Sequence, residues 1–144
     1  MKRLGQMLLA VAVVCLGTGG AAAQERKLIA PLRGEATLDM TKPDTKVSGA
    51  EVVTVIIVRN PATTGAIAGL KVEENWYDKS GNPVAGDLYR HPRPLRSGEV
   101  VTITLRTPRS PAMNSNKYQF SHTNGTIKAN VVPKIDVPPT PAAK

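Results

Sequence analysis

Few residues in this chain have side chains suited to a catalytic or metal site. The strongest candidates by residue type are the two histidines, His91 and His122. His91 lies in an Arg-His-Pro-Arg-Pro segment, where neighbouring cations would lower its pKa and repel a metal ion. His122 follows Tyr118 and Phe120 near the end of an alternating segment. Two histidines, with no cysteine outside the first 23 residues, fall short of a structural zinc site. An exported hydrolase or metal carrier would need a distant cluster of His91, His122 and Glu74, and we rank this alternative last.

Other motifs of catalysis and ligand binding are missing from the sequence. It has no Gly-x-Ser-x-Gly nucleophile elbow, no phosphate-binding glycine loop and no dinucleotide fingerprint. Residues 78–82 resemble the opening of a calcium loop, but Tyr89 stands where a bidentate glutamate is needed. We interpret that segment as a tight turn. The sequence therefore predicts a protein that is not an enzyme, with no catalytic residue, no metal site and no cofactor.

The best candidate for a binding surface is a basic loop, residues 90–96. It contains Arg90, His91, Arg93 and Arg96 together with two prolines and no acidic residue. Prolines keep the segment out of a sheet, and loops commonly carry recognition. The loop would suit an anionic partner, although a solvated loop without function is the alternative interpretation. The preceding edge strand, expected over residues 84–90, is a second candidate because it could recruit a partner strand by β-augmentation.

Residues 1–23 have the three parts of a cleavable signal peptide. Lys2 and Arg3 precede an apolar run over residues 7–16, and small residues follow as far as Ala23. The apolar run is shorter than the roughly 20 residues that span a bilayer. Cleavage after Ala23 would remove Cys15, the only cysteine, and leave a mature chain in the periplasm or outside the cell. We expect no transmembrane segment after cleavage.

The mature chain is expected to form one domain. A polar lead covers residues 24–33, the domain covers 34–133, and a proline-rich tail at 134–144 is expected to be disordered. Without Lys2 and Arg3, 17 basic residues face 11 acidic ones, which favours association with an anionic envelope surface. One tryptophan, three tyrosines and one phenylalanine are few for the stacking surface of a nucleic-acid-binding protein. We therefore expect no nucleic-acid partner.

Short apolar segments separated by turn residues predict an all-β domain. The expected strands cover residues 35–40, 50–59, 68–77, 84–90, 101–106, 117–123 and 126–132. Residues 41–49 are expected to form a turn and residues 107–116 an irregular loop. Asn124 and Gly125 predict a hairpin in which both residues have positive φ. Seven or eight antiparallel strands in about 100 residues are typical of an immunoglobulin-like β-sandwich.

Alternation along the strands predicts which side chains face the core. Ala36, Leu38 and Met40 alternate with polar residues on the first expected strand, and Val101, Ile103 and Leu105 are expected to face inward from the strand at 101–106. Glu74 falls on the apolar face of its strand beside Trp76, and the pattern offers no reason for it. We expect Trp76 to be buried between the sheets, where it packs with Val101, Ile103 and Phe120. The inward set of the last hairpin is expected to be Tyr118, Phe120, Ile127, Ala129 and Val131.

Residues 52–132 resemble the FxLYD family, small immunoglobulin-like domains of exported bacterial proteins. The parallels are Val58-Arg59-Asn60 at the end of a strand, Trp76-Tyr77-Asp78 before a Gly-Asn turn, and the corner Leu95-Arg96-Ser97-Gly98-Glu99. In the motif that names the family, Tyr77 and Asp78 match and Trp76 replaces leucine. Glu74 stands where phenylalanine is expected. The resemblance implies an immunoglobulin-like domain and transfers no catalytic residues.

These features predict a non-enzymatic, exported interaction or structural domain of the bacterial envelope. Its partner would be an envelope protein or an anionic envelope surface, and the contact surface would be either the basic loop or the edge strand. The alternative is an accessory subunit of an envelope assembly that docks through the edge strand at 84–90 or through the basic loop.

Overall fold

The computed structural model describes residues 29–139, and every regular element in them is a β-strand. The strands are β1 (Ala36–Thr41), β2 (Asp44–Ser48), β3 (Glu51–Arg59), β4 (Lys71–Tyr77), β5 (Pro83–Arg90), β6 (Val100–Pro108), β7 (Ser115–His122) and β8 (Gly125–Val132). Within these residues no helix is long and apolar enough to cross a membrane. The predicted signal peptide, residues 24–28 of the predicted lead and residues 140–144 of the predicted tail lie outside the described range.

The strands form one curled, mixed sheet that consists of two groups, with β3 as the central strand of one and β4 as the central strand of the other. β3 pairs with β6 along its whole length, and on its other side with β2 and with the end of β1. β4 lies between β5 and β7. β8 joins the two groups, because it pairs with β7 at only two positions and then runs beside β1. β5 lies alongside β6, so the sheet curls back on itself.

The prediction that all strands are antiparallel is wrong for β1 and β8, which run parallel over six residue pairs. The start of β1 is tied to the β7–β8 turn, because the Gly34 N–H donates to the Asn124 carbonyl at 3.0 Å. Both strands therefore leave the same point in the same direction. The coarser prediction of an all-β domain is confirmed.

Side chains from both groups of strands pack into one apolar core. The predicted inward residues of β1, Ala36, Leu38 and Met40, are buried as expected. On β3, alternate residues are fully or almost fully buried, and on β6 the predicted Ile103 and Leu105 are completely buried. The main core cluster is Ala36, Leu38, Met40, Ile56, Val58, Ile67, Leu70, Val72, Leu95, Ile103 and Leu105. Alternation thus predicted the core positions of β1 and β6 correctly.

The prediction of a turn over residues 41–49 is wrong, because β2 occupies most of that segment. Every residue of β2 is exposed, although the strand pairs with β3 from Asp44↔Val55 to Ser48↔Glu51. Gly49, at a φ of 60°, makes the tight connection to β3. A strand with no buried face has no apolar alternation, so the sequence pattern could not reveal it.

The β7–β8 connection also differs from its prediction. Thr123 and Asn124 form the turn, and no non-glycine residue between 29 and 139 has positive φ. Tyr118, Phe120 and Ile127 pack against the core as expected, whereas Ala129 is exposed and Val131 is 63 % exposed. Those two residues miss the core because β8 leaves β7 after two pairs.

The packing of Trp76 and Ile135 differs from the predictions. Trp76 lies on the predicted face of β4 and is partly buried, but it is not among the residues that pack against the cluster containing Ile103. Ile135, in the segment expected to be a disordered tail, is buried. The chain after β8 therefore still contributes to the packed domain.

Candidate functional site

The basic loop, residues 90–96, begins at the last residue of β5, continues into the connection to β6 and is held firmly by its main chain. Leu95 is fully buried and exchanges two backbone hydrogen bonds of 2.9 Å with Ile67. The His91 N–H donates to the Leu70 carbonyl at 2.9 Å. A loop with a buried anchor and paired backbone resists local opening better than a solvated one. The arginines therefore project from a fixed base.

One of those arginines, Arg93, is neutralised by Glu99. Its Nη1 donates to Glu99 Oε2 at 3.0 Å and its Nη2 donates to Oε1. Glu99 Oε2 also accepts the Arg96 N–H at 2.8 Å. Burial acts to raise the pKa of Glu99, but the hydrogen bonds from Arg93 and Arg96 lower it overall. Arg93 thus fixes the shape of the loop.

Arg90 and Arg96 are exposed, and neither makes an ion pair with a carboxylate in the described part of the chain. The residue opposite Arg90 on β4 is another cation, Lys71. Arg96 lines an open cavity of about 480 Å³ together with Arg93 and Glu99. The basic loop therefore presents two guanidinium groups whose charge is not compensated by a paired acid from residues 29–139.

His91, the fourth predicted surface residue, is half-buried. Its Nδ1 lies 2.8 Å from the Tyr89 hydroxyl. Burial lowers the pKa of His91, and the Arg93 guanidinium lowers it further. A neutral imidazole is therefore favoured at pH 7, so His91 does not add to the positive charge of the basic loop.

The structure does not bring His91, His122 and Glu74 together as a catalytic or metal site. His122 is buried, with its Nε2 2.8 Å from the Gly34 carbonyl oxygen, whereas the ring of His91 contacts Tyr89. Between residues 29 and 139 no group of three or more histidine, cysteine, aspartate or glutamate side chains is arranged to hold a metal ion. The cluster required by the third functional alternative is not formed.

Glu74 instead accepts hydrogen bonds from neutral side chains inside the domain, although the residue is completely buried. Thr54 on β3 donates to Oε1 at 2.8 Å, and Thr107 on β6 donates to Oε2 at 2.9 Å. From β7, the Tyr118 hydroxyl donates at 2.9 Å and Asn116 Nδ2 at 3.3 Å. Burial raises the pKa of Tyr118. The carboxyl group thus ties β4 to β3, β6 and β7, a role that the sequence pattern did not reveal.

A groove of about 300 Å³ opens near this network, at the far end of the domain from the basic loop. Its lining includes Val47, Val52, Trp76, Pro111, Met113 and Arg109. Arg109 is exposed and makes no ion pair within residues 29–139. The two surfaces are separated by the length of the β3–β6 pair, which runs from Arg59↔Val100 near the loop to Glu51↔Pro108 near the groove. Sequence reasoning did not identify this groove.

Comparison with known proteins adds a structural likeness. No family model matches the chain, and no curated protein matches it. Among solved structures, IrmA from Escherichia coli aligns with a TM-score of 0.46 and 9 % sequence identity, covering 73 % of this chain and 98 % of that one. The FxLYD resemblance therefore remains a prediction.

Proposed function

We propose that this chain is an exported, non-enzymatic interaction domain of the bacterial envelope, and that it binds an anionic partner through the basic loop. The observation that carries the proposal is the pair Arg90 and Arg96. Both are exposed on an anchored loop, and neither has a carboxylate partner within the described residues. Because the main chain that carries these cations is already anchored, little backbone conformational entropy is lost on binding, which favours recognition.

The charge of the whole chain supports an anionic partner. The formal net charge is +8 at pH 7 for the full sequence, and 17 basic against 11 acidic residues leave +6 once Lys2 and Arg3 are removed with the signal peptide. A positive protein is attracted to anionic lipid headgroups or to acidic envelope proteins over roughly a Debye length, about 8 Å at physiological salt. Near an anionic membrane each arginine or lysine contributes about 1 kcal/mol. Arg90 and Arg96 together would then contribute about 2 kcal/mol, or roughly 30-fold in affinity.

The fold part of the proposal is an immunoglobulin-like domain related to the FxLYD family. Its support is the arrangement of β3 with β1, β2 and β6 in one group and of β4 with β5 and β7 in the other. The main departure from the family motif is Glu74, and its four hydrogen bonds explain how a carboxyl group can occupy a position expected to hold phenylalanine.

The alternative, an accessory subunit that docks through the β5 edge, has weaker support. β5 lies alongside β6, and the Asp87 carboxylate on β5 accepts the Arg106 N–H of β6 at 2.7 Å. An incoming strand would have to displace this contact before it could pair with β5. The geometry therefore favours the basic loop over residues 84–90 as the contact surface.

The test compares wild type with the double variant Arg90→Ser/Arg96→Ser. Arg93 is left intact, because its loss would leave Glu99 without its ion-pair partner. The control Arg33→Ser/Lys128→Ser removes the same charge from exposed positions elsewhere. Binding is measured on phosphatidylglycerol vesicles, on phosphatidylcholine vesicles and on envelope extracts with and without protease treatment.

The proposal expects the double variant to bind about 30-fold more weakly than the control at low salt. Near 1 M salt, where the Debye length is about 3 Å, the difference should disappear. Binding to phosphatidylglycerol vesicles identifies a lipid surface, and protease-sensitive binding to extracts identifies a protein. Equal binding by the double variant and its control at every salt concentration would show that these arginines are ordinary surface charge.

A further inference from the structure

The outer edge of β2 forms part of a second candidate binding surface. β2 is the terminal strand of its sheet and pairs only with β3, so its outer edge has no neighbouring strand within the described range. All five of its residues are exposed. An unpaired strand edge presents backbone N–H and C=O groups that can pair with an added strand.

The groove lies directly beside that edge. Thr45 and Val47, alternate residues of β2, both line it, and Val47 is 59 % exposed. Because side chains alternate along a strand, a segment paired to the edge would also direct every second side chain toward the groove. A volume of about 300 Å³ is enough for one or two aliphatic side chains. The edge and the groove are thus suited to bind the same extended segment.

Two polar features indicate what else the segment would carry. Arg109, in the groove lining, makes no ion pair with any residue from 29 to 139. The indole Nε1 of Trp76 is buried and has no hydrogen-bond partner in that range. A carboxylate would complement the guanidinium, and any carbonyl or carboxylate oxygen could accept from an indole N–H.

We propose that the β2 edge and the Trp76 groove form a binding site for an extended segment of a partner protein that carries aliphatic and acidic side chains. The segment adds as a strand to β2, places aliphatic side chains against Val47 and Met113, and pairs a carboxylate with Arg109. This site goes beyond the proposed function, because it lies at the opposite end of the β3–β6 pair from the basic loop.

The chain provides its own reporter for this site, because Trp76 is the only tryptophan. The probes are blocked nine-residue peptides that alternate valine with threonine and carry glutamate near both ends. Matched peptides carry glutamine or lysine in place of glutamate, and a fourth has all of its backbone amides N-methylated so that neither edge can donate a hydrogen bond. Each is titrated against the mature protein while Trp76 emission is recorded.

The glutamate peptide is expected to shift the emission and to saturate, and the lysine and N-methylated peptides are expected to bind at least about tenfold more weakly. Arg109→Ser should reduce the preference for glutamate over glutamine by about two- to fivefold, the range of an exposed ion pair. Val47→Asp should abolish binding without unfolding the domain, because Val47 is exposed, and urea unfolding verifies this.

Equal binding of the glutamate and lysine peptides, or no emission change with any peptide, would overturn the proposal. So would glutamate binding that survives N-methylation, because a strand addition needs those amides. The Arg90→Ser/Arg96→Ser variant should bind the glutamate peptide as wild type does. Failure at this site therefore leaves the basic-loop proposal standing, and failure of the basic loop leaves this one standing.

Discussion

Replacing Glu74 by leucine should destabilise the domain strongly, although leucine is the more apolar residue. Without the carboxyl group Thr54 keeps its contact with Thr45 at 3.0 Å, and Asn116 keeps the Tyr118 hydroxyl at 2.8 Å. Thr107 Oγ1 and the Tyr118 hydroxyl lose the oxygens to which they donate. Each buried group left unsatisfied costs about 1–3 kcal/mol, so the loss should be about 2–6 kcal/mol. Small domains have a total stability of only about 5–15 kcal/mol.

The assay is urea unfolding followed by Trp76 fluorescence, with Glu74→Gln as the matched variant. Glutamine keeps one acceptor oxygen, and the Thr107 hydroxyl can rotate to accept from its amide, so this variant should lose about 1 kcal/mol. Adding Thr107→Val to the leucine variant removes one unsatisfied hydroxyl with little change of shape. The double variant should therefore be about 1–3 kcal/mol more stable than Glu74→Leu alone.

The double-mutant cycle also defines the result that would refute this reasoning. In the wild-type background Thr107→Val removes a hydrogen bond and should destabilise, whereas in the leucine background it should stabilise. If Thr107→Val has the same effect in both backgrounds, the two residues are not coupled. If Glu74→Leu is as stable as wild type, the buried hydrogen bonds contribute nothing that apolar packing does not replace.

Three further outcomes are expected. The hydrogen bond from Arg59 lowers the pKa of Asp39. The stability from this pair is therefore present above the ordinary aspartate pKa of about 3.9 and is lost as pH falls below it. The difference in urea midpoint between wild type and Asp39→Asn should shrink between pH 7 and pH 3. A Cβ on Gly125 would lie 2.0 Å from the Gly34 carbonyl oxygen, so Gly125→Ala should cost about 1–3 kcal/mol in thermal unfolding, and an unchanged midpoint would mean that the two segments separate easily. Mass spectrometry of the exported protein should find Gln24 at the N-terminus, and an intact Met1 would remove the assignment to the periplasm or exterior.

The sequence predicted those parts of the fold in which burial leaves a periodic pattern. Leu38, Ile103 and Leu105 were assigned to the core correctly because each lies between two polar residues of its strand in the sequence. β2 and the second half of β8 could not be predicted in the same way. β2 has no buried face, and Val131 belongs to an apolar alternation that pairing with β1 leaves in solvent.

The sites show the same division between local and distant contacts. The basic loop could be located from sequence because its arginines and prolines are contiguous. The sequence does not show that Arg93 pairs with Glu99, whereas Arg90 and Arg96 have no carboxylate partner among residues 29–139. Glu74 was recognisable as an anomaly on an apolar face. Its partners Thr54, Thr107 and Tyr118 lie 20, 33 and 44 residues away, so only the folded chain explains it.

The most direct measurement of the central claim is arginine footprinting of the mature protein on envelope membranes. Phenylglyoxal modifies exposed guanidinium groups, and mass spectrometry reports the modified fraction at each arginine with and without membranes at low salt. Binding through the basic loop predicts that Arg90 and Arg96 become protected while Arg33 and Arg106 react as before, and that high salt removes the protection. Equal protection of all four arginines, or protection of none under conditions where the protein is bound, would contradict the claim.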